Sequence, residues 1–318
     1  MTNFDLTTPE AADSVFVFDI GGTFIKYALM TREADILFKG EVPTPMTSQE
    51  EFIRTLYEAW APCADQAEGI ALSIPGNVNA DTGDVITPGS LTYNRNTNVA
   101  SLLREEIQRR TGRLVPVWLE NDGKAAALAE IWKGNLRGCR DGAVIVLGTG
   151  IGGGIVVDGK VHKGKDFFAG ELSFLMGNVE ESEFDKAMGT NASTAALTGM
   201  VAAAAALDAE EVDGYKVMEL REAGNEAAVA CFDLVCRRLS GLVYNLICLM
   251  NPERVLIGGG ISRQPLLIQT IRDMTEQRLE QIRQCGFDIP GTEIMNCAHH
   301  NDSNLIGALY NYLLHETH

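Results

Sequence analysis

The sequence has no apolar run of the 18 to 20 residues, roughly, that a membrane-spanning helix requires. Its most hydrophobic stretches are residues 200–207 and 241–250. We therefore expect a protein that does not span a membrane. Asp5, Glu10 and Asp13 occupy the N-terminal region, where a secretory signal would carry basic residues followed by an apolar core. This pattern predicts a cytoplasmic protein.

Basic residues and paired cysteines are also scarce. The 26 Lys and Arg residues are outnumbered by 43 Asp and Glu residues, which gives a formal net charge of -17. Without a basic cluster, such a surface repels a phosphate backbone, so we expect no nucleic-acid partner. The seven cysteines are odd in number and include no Cys-x-x-Cys pair, which is typical of reduced thiols.

Two common nucleotide-binding motifs are absent or incomplete. No Gly-x-x-x-x-Gly-Lys-Ser/Thr pattern occurs, which excludes the usual nucleoside-triphosphatase loop. Gly148, Gly150 and Gly153 do match the Gly-x-Gly-x-x-Gly fingerprint of dinucleotide-binding proteins. That fingerprint requires a helix directly afterwards, whereas residues 155–157 are β-branched and lead into a turn at Asp158. A dinucleotide site is therefore not predicted.

What the sequence does contain is a strand, glycine turn, strand unit that occurs twice. Residues 14–20 and 24–30 are predicted strands on either side of a Gly-Gly turn, and residues 143–147 and 155–157 flank a longer glycine-rich segment. A third glycine turn follows a predicted strand at residues 254–257, with Ser262 predicted to cap the next helix. Glycine turns leave backbone N–H groups open to an anion, so the three turns together indicate phosphate binding.

These turns and two short polar motifs, taken in chain order, resemble the ROK family of sugar kinases. The motifs are DIGGT at residues 19–23 with Lys26, END at 120–122, LGTGIGGG at 147–154, AGE at 169–171 and IGGGIS at 257–262. They are distributed from about residue 15 to residue 308. The resemblance implies an α/β fold of two actin-like, ribonuclease H-like domains, with ATP and sugar meeting in the cleft between them.

The resemblance also implies domain limits and a nucleotide site. We expect an N-terminal domain of residues 1–119, against which a C-terminal helix of residues 304–316 packs, and a C-terminal domain of residues 120–303. ATP would bind with Mg²⁺, which Asp19 would hold through water. The implied ATP and phosphate contacts are Asp19, Gly21, Gly22, Thr23, Lys26, Thr149, Gly150, Gly152, Gly258, Gly259 and Gly260.

Asp122 is the candidate catalytic residue. Phosphoryl transfer to a sugar requires a carboxylate that accepts the hydroxyl proton, and a position at a helix N-terminus favours the ionised form. The capping residues and helix formers from Asn121 onward predict that a helix starts at or beside Asp122. By spacing alone Asp122 would be an ordinary helix cap. The resemblance assigns it the role of general base.

The resemblance further implies a set of sugar contacts, and the sequence departs from the family pattern after the Ala-Gly-Glu motif. The implied substrate-binding residues are Pro75, Gly76, Asn121 and Glu171, with Asn94 as a further candidate. Many family members have a glycine and a histidine after the Ala-Gly-Glu motif, and the histidine joins three cysteines around a structural zinc. Ser173 and Phe174 stand there instead, and no cysteine follows before Ala196. We therefore predict no zinc site.

This zinc-less pattern is similar to ROK members associated with β-glucosides. Phe174 is either a stacking face for a substituent on the sugar or part of the core. The predicted function is ATP-dependent phosphorylation of a sugar hydroxyl, at the sixth carbon of a hexose or β-glucoside, in a homodimer such as the family commonly forms. One alternative is an N-acetylmannosamine or other amino-sugar kinase. Another is a non-catalytic sugar-sensing ROK protein, although only 18 residues precede Asp19, too few for a DNA-binding domain.

Overall fold

The structure is a computed structural model that describes residues 13–178 and 183–316. Asp5 and Glu10, two of the acidic residues that argued against a secretory signal, lie outside these residues. The described chain divides into two compact units. The first unit comprises residues 13–132, 164–168 and 302–316, and the second unit comprises residues 133–163, 169–178 and 183–301.

The described chain contains thirteen strands and nine α-helices. From the N-terminus they are β1 (Ser14–Ile20), β2 (Phe24–Thr31), β3 (Ile36–Pro43), α1 (Gln49–Trp60), β4 (Ala67–Ile74), β5 (Asn77–Asn79), β6 (Asp84–Thr87), β7 (Thr97–Asn98), α2 (Val99–Thr111), β8 (Val117–Asn121) and α3 (Asp122–Lys133). They continue with β9 (Gly142–Leu147), β10 (Ile151–Val157), β11 (Lys160–His162), α4 (Met188–Asn191), α5 (Thr194–Ala205), α6 (Gly214–Glu222), α7 (Glu226–Met250), β12 (Arg254–Gly258), α8 (Pro265–Gln284), β13 (Glu293–Asn296) and α9 (Ser303–Glu316).

The first unit is built on a five-stranded sheet in the order β3-β2-β1-β4-β8. The first three strands pair antiparallel as hairpins, and β1, β4 and β8 are parallel. Successive residues of β1 point to opposite faces of the sheet. Phe16 and Phe18 therefore pack with α1 and α2, whereas Val15 and Val17 pack with α9. Both faces are buried, which explains why β1 is an almost continuous apolar run.

The second unit repeats this topology with a sheet in the order β11-β10-β9-β12-β13. Its hairpin strands are antiparallel and its last three strands are parallel, as in the first unit. Helices α5 to α8 supply the core on one face. The repeated strand order confirms the predicted α/β, actin-like and ribonuclease H-like fold class.

Helices α3 and α9 both belong to the first unit, although α3 was predicted to open the second domain. Ala129 of α3 is buried in the same cluster as Leu305 and Leu309 of α9. The two helices approach so closely that a Cβ on Gly307 would lie 1.7 Å from the carbonyl oxygen of Ala125. The division between the units consequently follows α3, at residues 132–133, and not residue 119.

Two local features differ from the sequence predictions. Strand β10 begins at Ile151 instead of Ile155, so its glycines are strand residues and not a loop. Ser262 does not cap α8, because that helix starts at Pro265 without a side-chain cap, and the Ser262 hydroxyl donates to the Gly259 carbonyl oxygen at 2.8 Å. Among the described helices, none combines the length and the hydrophobicity of a membrane span.

Candidate active site

In the first unit, four polar residues lie side by side across the sheet near the ends of the parallel strands. Asp19 of β1 pairs in register with Lys26 of β2 and Ser73 of β4, and Ser73 pairs with Glu120 of β8. Register partners on neighbouring strands point to the same face. The row therefore places a carboxylate and an ammonium group together directly before the β1–β2 turn. This turn contains Gly21, Gly22 and Thr23.

The Asp19 carboxyl is held by a residue from the C-terminal helix. Asn304, at the start of α9, donates a hydrogen bond from Nδ2 to Asp19 Oδ1 at 2.9 Å. Burial raises the pKa of Asp19, and the Asn304 amide and the Lys26 ammonium partly oppose that rise. A half-buried carboxylate with such partners is suited to bind a cation or a water on that cation. Nothing local in the sequence signals the role of Asn304.

The β1–β2 turn is tight and exposed. Gly21 donates its N–H to the Phe24 carbonyl oxygen at 3.0 Å, and Thr44 donates its hydroxyl to the Gly21 carbonyl at 2.7 Å. A Cβ on Gly22 would lie 3.4 Å from Ser90 Oγ. Ser90, which the sequence did not single out, therefore stands beside the predicted phosphate turn.

The loop containing Pro75 and Gly76 packs against residues 87–90. Gly76 has φ +101°, and a Cβ there would lie 2.0 Å from the carbonyl oxygen of Thr87, so only glycine fits. The Gly76 carbonyl accepts a hydrogen bond from Asn121 Nδ2 at 2.9 Å. The predicted sugar-binding residues Pro75, Gly76 and Asn121 are thus brought together in one unit.

Asn121 and Asp122 join β8 to α3, and Asn121 fixes the geometry of this junction. Its Oδ1 accepts from the backbone N–H of Lys124 at 3.0 Å, which caps the helix. Its Nδ2 donates to Asp122 Oδ1 at 2.9 Å as well as to Gly76. Both amide hydrogens of Asn121 are therefore used within the protein. Asp122 Oδ1 also accepts from the N–H of Gly123 at 2.8 Å, which fixes the orientation of a half-buried carboxylate at the helix start.

Asn94 is placed differently from the other predicted contacts. Its side chain is fully buried, and Oδ1 accepts a hydrogen bond from Gln49 Nε2 at 3.3 Å. The same Gln49 nitrogen is 3.0 Å from Thr97 Oγ1. Asn94 therefore lies inside the loop after β6, and its Nδ2 is buried without a hydrogen-bond partner among the described residues.

In the second unit, the β9–β10 turn carries Gly148, Thr149 and Gly150. Gly148 donates its N–H to the Gly150 carbonyl at 3.0 Å, and Thr149 is exposed. Ser173 holds the strand end at this turn, since its Oγ accepts from the N–H of Ile151 at 2.8 Å and donates to the Ile151 carbonyl at 3.2 Å. A Cβ on Gly150 would lie only 2.8 Å from that Oγ.

Ser173 also lies against a second glycine. A Cβ on Gly189 would be 2.6 Å from Ser173 Oγ. Ser173 therefore occupies the space that a side chain at position 189 would need. The positioning role of Ser173 was not predicted.

The segment of Gly170 and Glu171 runs beside β10. Gly170 has φ +85°, and a Cβ on Gly153 would lie 2.5 Å from the Gly170 carbonyl oxygen. This close backbone approach requires glycine in the strand. Glu171 is half-buried and precedes a short 3₁₀ helix, Leu172–Phe174. The predicted phosphate contact Gly152 and the predicted sugar contact Glu171 thus belong to two adjacent segments.

The third glycine turn follows β12. Gly258 packs against Cys297, whose Sγ would be 2.9 Å from a Cβ at position 258. Gly259 has φ +91° and its Cβ would lie 2.0 Å from the Leu147 carbonyl oxygen, whereas nothing lies within 4 Å of a Cβ on Gly260. Gly258 and Gly259 are required by packing, and Gly260 is exposed and open.

Phe174 is not a core residue. It is 49% exposed and lies 5.7 Å, between ring centroids, from Phe184, which is 64% exposed. Of the two interpretations from sequence, core packing is therefore wrong for Phe174. Within residues 13–178 and 183–316, no group of three or more His, Cys, Asp or Glu side chains is arranged to hold a metal ion.

Known proteins with similar sequences and structures decide the family. A protein-family model described as the ROK family matches residues 15–315. The chain belongs to the ROK family. It is 29% identical over 315 residues to the beta-glucoside kinase of Listeria monocytogenes, with 95% of this chain and 98% of the relative covered. It is 31% identical over 269 residues to the N-acetyl-D-glucosamine kinase of Haemophilus influenzae, with 80% and 86% covered.

A solved ROK family structure has the same overall architecture. The ROK family protein from Streptococcus pneumoniae TIGR4, crystallised in complex with sucrose, has a TM-score of 0.83 and 28% sequence identity. The likeness covers 96% of this chain and 99% of that chain. The family assignment predicted from the motifs is therefore confirmed over nearly the whole length of this chain.

Proposed function

We propose that this ROK family carbohydrate kinase transfers the γ-phosphoryl group of ATP to a sugar hydroxyl, with Asp122 as the general base. The observation that carries the proposal is the fixed carboxylate at the start of α3. Asn121 Nδ2 and the Gly123 N–H both donate to Asp122 Oδ1, at 2.9 and 2.8 Å. A carboxylate oriented in this way is ready to accept the hydroxyl proton as the sugar oxygen attacks phosphorus.

The glycine turns and their neighbours serve phosphate binding. The backbone N–H groups of Gly22, Gly150 and Gly152 and the side chains of Thr23, Lys26 and Thr149 donate to phosphate oxygens. Gly21 shapes the turn, because its N–H is bonded to the Phe24 carbonyl oxygen. Gly258, Gly259 and Gly260 contact adenosine.

Magnesium fits the donor set around Asp19. Mg²⁺ prefers oxygen ligands, keeps several waters, and is usually bound through one or two carboxylates together with substrate phosphates. Asp19 is one such carboxylate, and it would hold the ion through water. When bound, the ion would neutralise charge on the transferred phosphoryl group. We propose no structural zinc.

The sugar is held by residues from the Ala-Gly-Glu segment and the loop before β5. Glu171 and the Pro75–Gly76 loop contact sugar hydroxyls. Asn121 acts mainly through Asp122, because both of its amide hydrogens have internal partners. Asn94 is left out of the contact set because it is fully buried.

The exposed aromatic pair favours a β-glucoside as substrate. Phe174 follows Glu171 by three positions, and its ring forms a solvent-facing surface with Phe184. Aromatic rings stack against the apolar faces of sugar rings, and a second ring or aglycone attached to a sugar at Glu171 would find such a face. A free hexose would not need it. The acceptor is the sixth hydroxyl of the first ring.

An amino-sugar kinase is the second candidate. The N-acetyl-D-glucosamine kinase of Haemophilus influenzae is 31% identical to this chain. The third candidate, a protein that senses sugar without catalysis, is disfavoured by the ordered Asp122 carboxylate. We further propose that the enzyme is a cytoplasmic homodimer.

The test is an assay of ADP release with cellobiose, gentiobiose, glucose, N-acetylglucosamine and N-acetylmannosamine as acceptors. We expect the highest kcat/KM for a β-glucoside. Phe174→Ala should raise KM for cellobiose but not for glucose, and the opposite pattern would exclude the aromatic pair as a substrate surface. Release of no ADP with any acceptor would favour the sensing protein.

Asp122→Asn tests the general base. We expect kcat to fall by about 100-fold or more, with little change in the KM for ATP. Asp84→Asn is the matched control, because Asp84 Oδ1 likewise accepts from an asparagine amide, Asn98 Nδ2 at 3.0 Å, but lies on β6. A variant Asp122→Asn that kept more than a tenth of the wild-type kcat would exclude Asp122 as the base.

A further inference from the structure

A cavity of about 350 Å³ in the second unit is separate from every residue assigned above to ATP or sugar. Helix α7 supplies Arg237, Arg238 and Tyr244 to its wall, and α8 supplies Arg278. Residues 175–177 and Met188 also line it, together with Gly241, Leu242 and Asn245 of α7. The volume is within the range of small-molecule sites, roughly 300–1,000 Å³.

The charge of this wall is opposite to that of the protein. The chain carries 43 acidic and 26 basic residues, yet three arginines and no described carboxylate line the cavity. Within the described chain, Arg237, Arg238 and Arg278 are also missing from the ion pairs of the second unit. Like charges gathered in one cavity repel each other, and a bound anion would offset that repulsion.

The arginine hydrogen bonds leave donors available. Arg238 Nη1 donates to the Asn191 carbonyl at 2.7 Å, and Arg278 Nη2 is 3.4 Å from the Arg237 carbonyl. The Nε of Arg278 is buried and has no hydrogen-bond partner among the described residues. A buried donor without a partner costs stability.

Gly241 lines this cavity. It lies in the interior of α7, where glycine costs about 1 kcal/mol relative to alanine. A Cβ at this position would lie 3.8 Å from Arg278 Nη2, in ordinary contact. A larger side chain at 241 would displace the guanidinium group from its position between α7 and α8.

We propose that this cavity is a second binding site, separate from the kinase site, for a small phosphate monoester such as a sugar phosphate. Guanidinium groups recognise phosphate oxygens through paired, charge-assisted hydrogen bonds. Three arginines match the charge of a dianionic phosphate better than they match the charge of a single carboxylate. Leu175, Met176 and Met188 offer an apolar surface for the body of the ligand, and Asn245 offers a polar group.

The experiment measures binding of glucose 6-phosphate and of inorganic phosphate by isothermal titration calorimetry. The protein is first saturated with a non-hydrolysable ATP analogue and with the best acceptor sugar, so that the kinase site is filled. We expect one further site, with a Kd that rises with added salt because the contacts are ionic. Arg278→Gln should weaken binding about ten-fold or more, as expected for loss of a charge-assisted hydrogen bond.

Arg283→Gln is the matched control. Arg283 is on the same helix and its loss changes the net charge equally, but its guanidinium pairs with Glu276 at 2.6 Å and does not line the cavity. We expect its Kd to match that of the wild type. Arg237→Gln, at an exposed position, provides a second cavity variant if Arg278→Gln does not fold. Thermal unfolding shows whether the Arg278→Gln and Arg237→Gln variants are folded.

Three results would overturn the proposal. These are no binding to the wild type once the kinase site is filled, equal weakening by Arg283→Gln and Arg278→Gln, and equal affinity for a small dicarboxylate such as succinate. Since the comparison of the two arginine variants does not depend on turnover, failure of the kinase proposal would leave this result interpretable.

Discussion

Exchange of Asn121 for Asp separates the capping role of this residue from its role in holding Asp122. Asp has nearly the same shape, and its carboxylate can still accept from the Lys124 N–H that Asn121 Oδ1 now caps at 3.0 Å. It cannot donate, so the bonds to Asp122 Oδ1 and to the Gly76 carbonyl, both 2.9 Å, are lost. A second negative charge is also placed beside Asp122.

The expected effect follows from these bonds. A hydrogen bond to a charged group contributes about 1.5–3 kcal/mol and a neutral one about 0.5–1.5 kcal/mol. If the bond to Asp122 orients the base in the transition state, kcat should fall by roughly 10- to 150-fold. The KM for sugar should change little, because the acceptor oxygen of residue 121 is retained. The stability of the fold should fall by about 2–4 kcal/mol.

Asn98→Asp is the matched control for this prediction. Asn98 caps α2 by accepting from the Ser101 N–H at 2.8 Å, and its Nδ2 donates to the Thr82 carbonyl at 2.8 Å and to Asp84 Oδ1 at 3.0 Å. The same pattern of one acceptor and two donors thus occurs at a second helix start. Its substitution should reduce stability similarly without changing kcat.

The assay is ADP release at saturating ATP, at a temperature well below the unfolding midpoint of both variants. The reasoning would be refuted if Asn121→Asp retained more than a third of the wild-type kcat, or if Asn98→Asp lost as much. A large rise in the KM for sugar with an unchanged kcat would instead identify Asn121 as a direct sugar contact.

Three further predictions concern the other parts of the site. Asp19→Asn should raise the unfolding temperature of the ligand-free protein at neutral pH. Burial raises the pKa of Asp19, so the stability that this group contributes is lost as pH rises through its folded-state pKa. In thermal scans the gain in unfolding temperature should shrink towards about pH 4, the ordinary range of the group, and a gain independent of pH would contradict the assignment. Ser173→Ala removes both hydrogen bonds to Ile151, at 2.8 and 3.2 Å, so steady-state kinetics should show a several-fold higher KM for ATP, whereas an unchanged KM would show that Ser173 does not support the phosphate turn. Gly259→Ala would place a Cβ 2.0 Å from the Leu147 carbonyl at a φ of +91°, and we expect insoluble protein or a loss of stability of about 3 kcal/mol or more by denaturant unfolding; a loss below 1 kcal/mol would refute the packing argument.

Much of the secondary structure was predictable because its signals are local. Strand β1 has the predicted bounds, residues 14–20, since an apolar run that ends at a glycine pair needs no distant contact to be recognised. Helix α3 starts at Asp122 as the capping residues indicated. Strand β10 was predicted too short, because glycine usually weakens strands and the close approach of Gly170 to Gly153 cannot be deduced from the order of residues.

The candidate site was only partly predictable. The motifs identified Asp19 and Asp122, but not the partners that orient them. Asn304 bonds to Asp19 across 285 positions of the chain. Ser173 was noted only as a departure from the family pattern, whereas in the structure it holds Ile151 and excludes a side chain at Gly189.

The sequence by itself determined the family, the fold class and the residue types available for phosphoryl transfer, because these depend on motif order and on the period of apolar residues. Only the tertiary structure decided which residues orient those groups, that Asn94 is buried, and that three arginines from α7 and α8 share one cavity. The reason is physical. Parallel strands and packed helices join segments that are far apart in the chain, and the register of that packing is set by shape complementarity, which short-range sequence patterns do not encode.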